Sequence, residues 1–114
     1  MSPAYNALIN NILKNEGIKG RINLIFVDDP AIRRLNWQFR GKNKATDVLS
    51  FSMGEEGILG DIAISVDTAG RNARRFKVQY KAEIKRLIIH GVLHLIGYEH
   101  GRRMRSAEEA YQKF

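Results

Sequence analysis

The chain has no cysteine. Disulfide bridges and thiolate metal sites are therefore excluded, and any metal must be held by nitrogen or oxygen. There are only two prolines and one tryptophan. No apolar run approaches the ~20 residues that span a bilayer. The start, Met-Ser-Pro-Ala-Tyr-Asn, lacks the charged segment and apolar stretch of a signal peptide. Acidic residues are outnumbered, 12 against 19 lysines and arginines. These absences lead to the expectation of a soluble, cytoplasmic protein with no membrane contact and no disulfide partner. The net charge of +7 suits a polyanionic partner such as nucleic acid. With 114 residues, 44% of them hydrophobic, one domain over 1–114 with one modest core is expected.

Hydrophobic spacing divides the chain into helices and strands. Ser2-Pro3 reads as a cap with proline in the first turn. Tyr5, Leu8, Ile9, Ile12 and Leu13 follow at helical spacing and Gly17 ends the run. Arg21–Val27 reads as a strand, and its Leu24-Ile25-Phe26-Val27 core predicts cover on both faces. Asp29-Pro30 starts a second helix with the stripe Ile32, Leu35 and Phe39, closed by Gly41. Thr46–Phe51 and Ile58–Val66 read as strands separated by the turn Gly54–Gly57. Asp67 is the expected cap of a helix running to about Phe76. Lys81–Ile96 is the longest helix, and its second half is apolar almost all round, as in a helix at the centre of a domain. Ser106 and Glu109 form a possible capping box for a short last helix. The fold class expected is α+β: a small mixed sheet packed with about four to five helices, with a metal site at the end of the central buried helix.

That site rests on the histidines. All three lie in one eleven-residue window, His90-Gly-Val-Leu-His94-Leu-Ile-Gly-Tyr-Glu-His100. Residues four apart share a helix face, so His90 and His94 can aim at one point. Gly97 lets the chain turn back and bring His100 to the same point. Three imidazoles suit one Zn2+ per chain and leave a coordination position open for water, which marks a catalytic site. The spacing is that of metzincin peptidases, but their general-base glutamate would stand where this chain has Gly91. A zinc ligand pattern is present and the peptidase base is missing.

Upstream, Arg40, Lys42 and Lys44 cluster where the second helix gives way to a loop. A guanidinium can take a phosphate bidentately. Arg71, Arg74 and Arg75, with Lys77, Lys81, Lys85 and Arg86, flank the histidine helix and are further candidates for binding nucleic acid by its phosphates. Trp37 and Phe39 are candidates for stacking on bases. Phe39 belongs to the apolar stripe and is expected in the core, whereas Trp37 fits either role.

Taken together, Leu-Asn-x3-Arg-Gly-Lys, Thr-Asp-Val-Leu-Ser-Phe, Leu-Gly-Asp-Ile and His-Gly-x-Leu-His-Leu-x-Gly-Tyr-acidic-His resemble the YbeY family of bacterial rRNA-maturation endoribonucleases, over about residues 20–104. The resemblance implies a metal-dependent, single-strand-specific endoribonuclease acting on rRNA of the small ribosomal subunit and in ribosome quality control. It implies His90, His94 and His100 as ligands, with zinc as the ion, and Arg40 as the arginine beside the cleft. The chain departs from the family pattern in having Glu99 in place of aspartate, in starting at a helix where a strand is usual, and in the short spacing from His100 to Met104. A sheet smaller by one strand is expected. Two rival readings remain: a non-catalytic, zinc-stabilised assembly factor that binds rRNA, and a metal-dependent hydrolase or protease.

Overall fold

The amphipathic stripe of the first segment folds as α1 (Pro3–Asn15), with Leu8, Ile9, Ile12 and Leu13 buried. The computed structural model describes residues 3–52 and 54–114, so the expected cap at Ser2 lies outside the described residues. β1 (Arg21–Val27) leads into α2 (Asp29–Arg40), whose cap is Asp28: its carboxylate accepts from the Ala31 amide at 2.9 Å. β2 (Val48–Ser52) and β3 (Ile58–Ser65) form a hairpin, and α3 (Val66–Phe76), α4 (Tyr80–Leu95) and α5 (Arg102–Gln112) follow. Among the described residues no helix is long and apolar enough to cross a membrane.

The sheet order is β1-β3-β2, with β1 parallel and β2 antiparallel to β3. This is the expected small mixed sheet, with five helices around three strands. On one face Ile22, Leu24, Ile62 and Ile64 pack with α1 and α4 in the main core. On the other, Ile32 of α2 sits on Leu49 and Ala63. The second half of α4 supplies Leu87, Ile88, Ile89, Val92 and Leu93 to the core, all essentially without solvent contact. That helix is central, as its uninterrupted apolar character predicts.

Four expectations about strand cover and element ends fail. β1 is not covered on both faces: α2 shields β3 and β2, and Ile25 at the edge remains 44% exposed. β2 begins at Val48, not Thr46, because the Asp47 carboxylate takes the Val48 amide at 2.8 Å. The cap of α3 is Ser65, whose hydroxyl accepts from the Thr68 amide at 3.2 Å, while Asp67 accepts from the Asp29 amide. The last helix starts at Arg102, so Ser106 lies inside it and there is no capping box at that position.

Candidate metal centre and cleft

Because its apolar residues face the core, α4 has one face left over, and that face carries His90 and His94. Gly97 adopts φ 105°, a left-handed conformation open to glycine, and the turn it makes returns His100 to the helix end. The ring centroids of His94 lie 4.6 Å from His90 and 4.7 Å from His100, and His90 and His100 are 5.6 Å apart. One ring nitrogen from each lies within 4.8 Å of the other two. The group can hold a metal ion. Burial lowers the pKa of His94, and the neighbouring His90 and His100 push it the same way, so it is held in the neutral form that ligates metals. Nδ1 of His90 lies 3.2 Å from the Glu108 carboxylate on α5. With a proton on Nδ1 donated to Glu108, Nε2 is the nitrogen free for a metal.

The three imidazoles line a cleft of about 360 Å³ together with Arg40, Lys42 and Lys44. Arg40 ends α2 and donates to the Ser50 carbonyl at 2.8 Å. The Ser50 hydroxyl donates in turn to the Gly91 carbonyl at 3.1 Å, which ties the strand beneath Arg40 to the histidine helix. Asn36, buried on α2, donates to the Lys44 carbonyl at 2.9 Å and fixes the loop that bears both lysines. The carboxylate lining the cleft, Asp47, is engaged by the Val48 amide and by Asn72, with Arg86 3.7 Å away. A cavity lined by three imidazoles and three cations is suited to a phosphodiester.

The family model for Endoribonuclease YbeY matches residues 1–113. The chain belongs to the YbeY family. Among curated proteins with the name Endoribonuclease YbeY, the chain is 52% identical to that of Aquifex aeolicus over 83 residues, 69% of this chain and 55% of the relative. It is 41% identical to that of Persephonella marina, covering 88% of this chain and 70% of the relative, and 36% identical to that of Thermotoga maritima, covering 92% and 70%. The Aquifex match thus spans just over half of that relative's length. The solution structure of TM1509 from Thermotoga maritima superposes with a TM-score of 0.74 at 33% identity, covering 96% of this chain and 77% of that one.

The glycine that separates this YbeY-family chain from the metzincins has a steric reason. A Cβ at Gly91 would lie 3.0 Å from the Ile62 side chain and 3.1 Å from the Ser50 hydroxyl. Position 91 faces the sheet, so a glutamate there would enter the core, not the cleft. Of the basic candidates, Arg40, Lys42 and Lys44 meet the histidines; Arg71, Arg74 and Arg75 do not line the cleft. Arg71 pairs with Asp29 at 2.7 Å, and the Arg75 guanidinium stands 5.7 Å from the centre of the Phe76 ring. Phe39 is exposed, with its ring 4.7 Å from Phe51, contrary to its place in the α2 stripe. Sequence reasoning missed Glu108 and Ser50 as parts of the site. Ser50 stood inside a quoted motif; Glu108 had no periodic signal linking it to His90.

Proposed function

We propose that this chain is a zinc-dependent endoribonuclease that cuts single-stranded RNA, and that its substrate is rRNA of the small ribosomal subunit. The observation that carries the reading is the convergence of His90, His94 and His100 with Arg40, Lys42 and Lys44 on one cleft. A ligand set made only of imidazoles, with no thiolate, suits zinc. When bound, such an ion supplies a water of lowered pKa and polarises a phosphoryl oxygen. The chain's own residues do the rest. Arg40, steadied by the Ser50 carbonyl, offers its remaining N–H groups to the phosphate oxygens and offsets the charge that builds as the phosphorane forms. Lys42 and Lys44 hold the backbone on either side by attraction that reads no sequence. Glu108 keeps His90 in the tautomer that presents Nε2. The work this assigns to the protein, rRNA maturation and ribosome quality control, is cytoplasmic.

The test is cleavage of a short single-stranded RNA, run beside casein, with zinc content measured on each sample. Cleavage that chelator abolishes and zinc restores is the expected outcome. RNA binding without cleavage in the zinc-loaded protein would favour an assembly factor, and cleavage of casein alone would favour a peptidase.

A further inference from the structure

We propose that α2 carries a second RNA subsite beside the cleft, an open groove in which one base of the bound strand stacks on Trp37 while its neighbouring phosphates meet Arg34 and Lys44. The inference rests on the endoribonuclease reading and adds to it a place for the strand outside the cut site.

The groove has a volume of about 620 Å³ and is lined by Arg33, Arg34 and Trp37 of α2, by Asn43 and Lys44 of the following loop, and by Asp29. Spaced three and four apart, Arg33, Arg34 and Trp37 share one side of the helix. Trp37 is the chain's single tryptophan and is 61% exposed. So open an indole contributes little to the core, and its face is free to meet a planar partner. Among the described residues neither Arg34 nor Lys44 has a carboxylate within ion-pair distance. The one acid in the lining, Asp29, is already bound by Ser65, Thr68 and Arg71. An aromatic face between unpaired cations is the recognition chemistry of single-stranded nucleic acid.

Two further observations join the groove to the cleft. Lys44 lines both. The loop between them is pinned to α2 on each side, by Arg33 Nε donating to Asn43 Oδ1 at 2.8 Å and by Asn36 donating to the Lys44 carbonyl. The ridge is therefore fixed, and a strand crossing it at Lys44 passes from one site to the other.

The indole itself reports the contact. Zinc-loaded protein is mixed rapidly with a single-stranded RNA of about ten nucleotides, within the range that such sites cover, and with a dinucleotide. Fluorescence of Trp37 and anisotropy of labelled RNA are followed together. The longer RNA should quench Trp37 as it binds, and the dinucleotide should not. Trp37→Ala should weaken binding of the longer RNA by roughly 5- to 150-fold, the range of one base–aromatic stack, and raise KM for its cleavage with kcat little changed. Trp37→Phe should recover part of the loss, and dinucleotide cleavage should be the same in all three proteins. RNA that binds and is cut with no quench, and equally well by Trp37→Ala, would overturn the groove and leave the nuclease reading intact. A wild type that neither binds nor cuts RNA would overturn both.

Discussion

Among the described residues the Arg40 side chain makes one hydrogen bond, to the Ser50 carbonyl at 2.8 Å, and Arg40 is exposed. Arg40→Ala should cost less than about 1 kcal/mol of stability, as for other surface positions. Single-turnover RNA cleavage should nevertheless fall by roughly 10²–10³, the usual loss for one preorganised charge-stabilising donor. Lysine should rescue in part, since an ammonium cannot form the bidentate fork. Equal rates for wild type, Arg40→Ala and Arg40→Lys, at matched zinc content, would remove Arg40 from the mechanism. Glu108 makes a different prediction. Glu108→Ala should weaken zinc binding by roughly 10- to 100-fold in competition with a chromogenic chelator. Glu108→Gln should weaken it less, because its amide oxygen still accepts from His90 Nδ1. Unchanged affinity in both variants would reduce Glu108 to a packing residue. At this scale the histidines were legible because a fourfold spacing on a helix and a glycine turn fix three rings without knowledge of the fold. Glu108 was not, because it reaches His90 from another helix through packing that no local pattern encodes.

Among the elements, α4 has the most to accommodate: it is the centre of the core on one side and the wall of the cleft on the other. At Gly91 it lies close against the sheet, with Ile62 and Ser50 in contact range of an added Cβ. Gly91→Glu, which restores the metzincin pattern on paper, should therefore bury an unpaired carboxylate and destabilise by about 3 kcal/mol or more. A urea midpoint near that of wild type, or gain of casein cleavage, would contradict this placement. The identity and order of the elements were readable from hydrophobic spacing, but their ends were less so. Ser65 and Asp67 are both good caps, and the choice fell to Ser65, whose backbone is extended at φ −80°, ψ 116°. Ile25 and Phe39 show the other limit. An apolar residue on a regular stripe is buried only if a neighbour arrives to cover it, and the sequence of β1 or α2 does not say where the neighbouring helix will end.

Across the whole molecule, a polar network fastens the layers together. Glu83 of α4 is 2% exposed and accepts from Arg86 at 2.8 and 2.7 Å and from Asn72 of α3 at 3.0 Å; Asn72 also donates to Asp47, just before β2. Burial alone would raise the Glu83 pKa, but the bonds from Arg86 and Asn72 outweigh it and hold the carboxyl below its ordinary value. A lowered folded-state pKa means stability that is fully present above the unfolded value, about 4.3, and is lost as pH falls through the folded value. Glu83→Gln should thus lower stability by roughly 1–3 kcal/mol at pH 7. The gap from wild type should close in acid, and a gap independent of pH would show that shape, not charge, is what the position supplies. The network also separates two kinds of locality. The imidazoles lie within eleven residues of sequence, whereas Arg40 stands fifty positions before His90 and reaches it only when β2 is seated on α4. Short loops close at little entropic cost, so the histidine segment can retain an ion in chains whose remainder has come apart. Any such affinity of the unfolded chain would reduce the stabilisation that a bound metal gives the native one. In a urea series, cleavage should disappear before the metal is released: a preparation full of zinc can be a preparation of inactive chains.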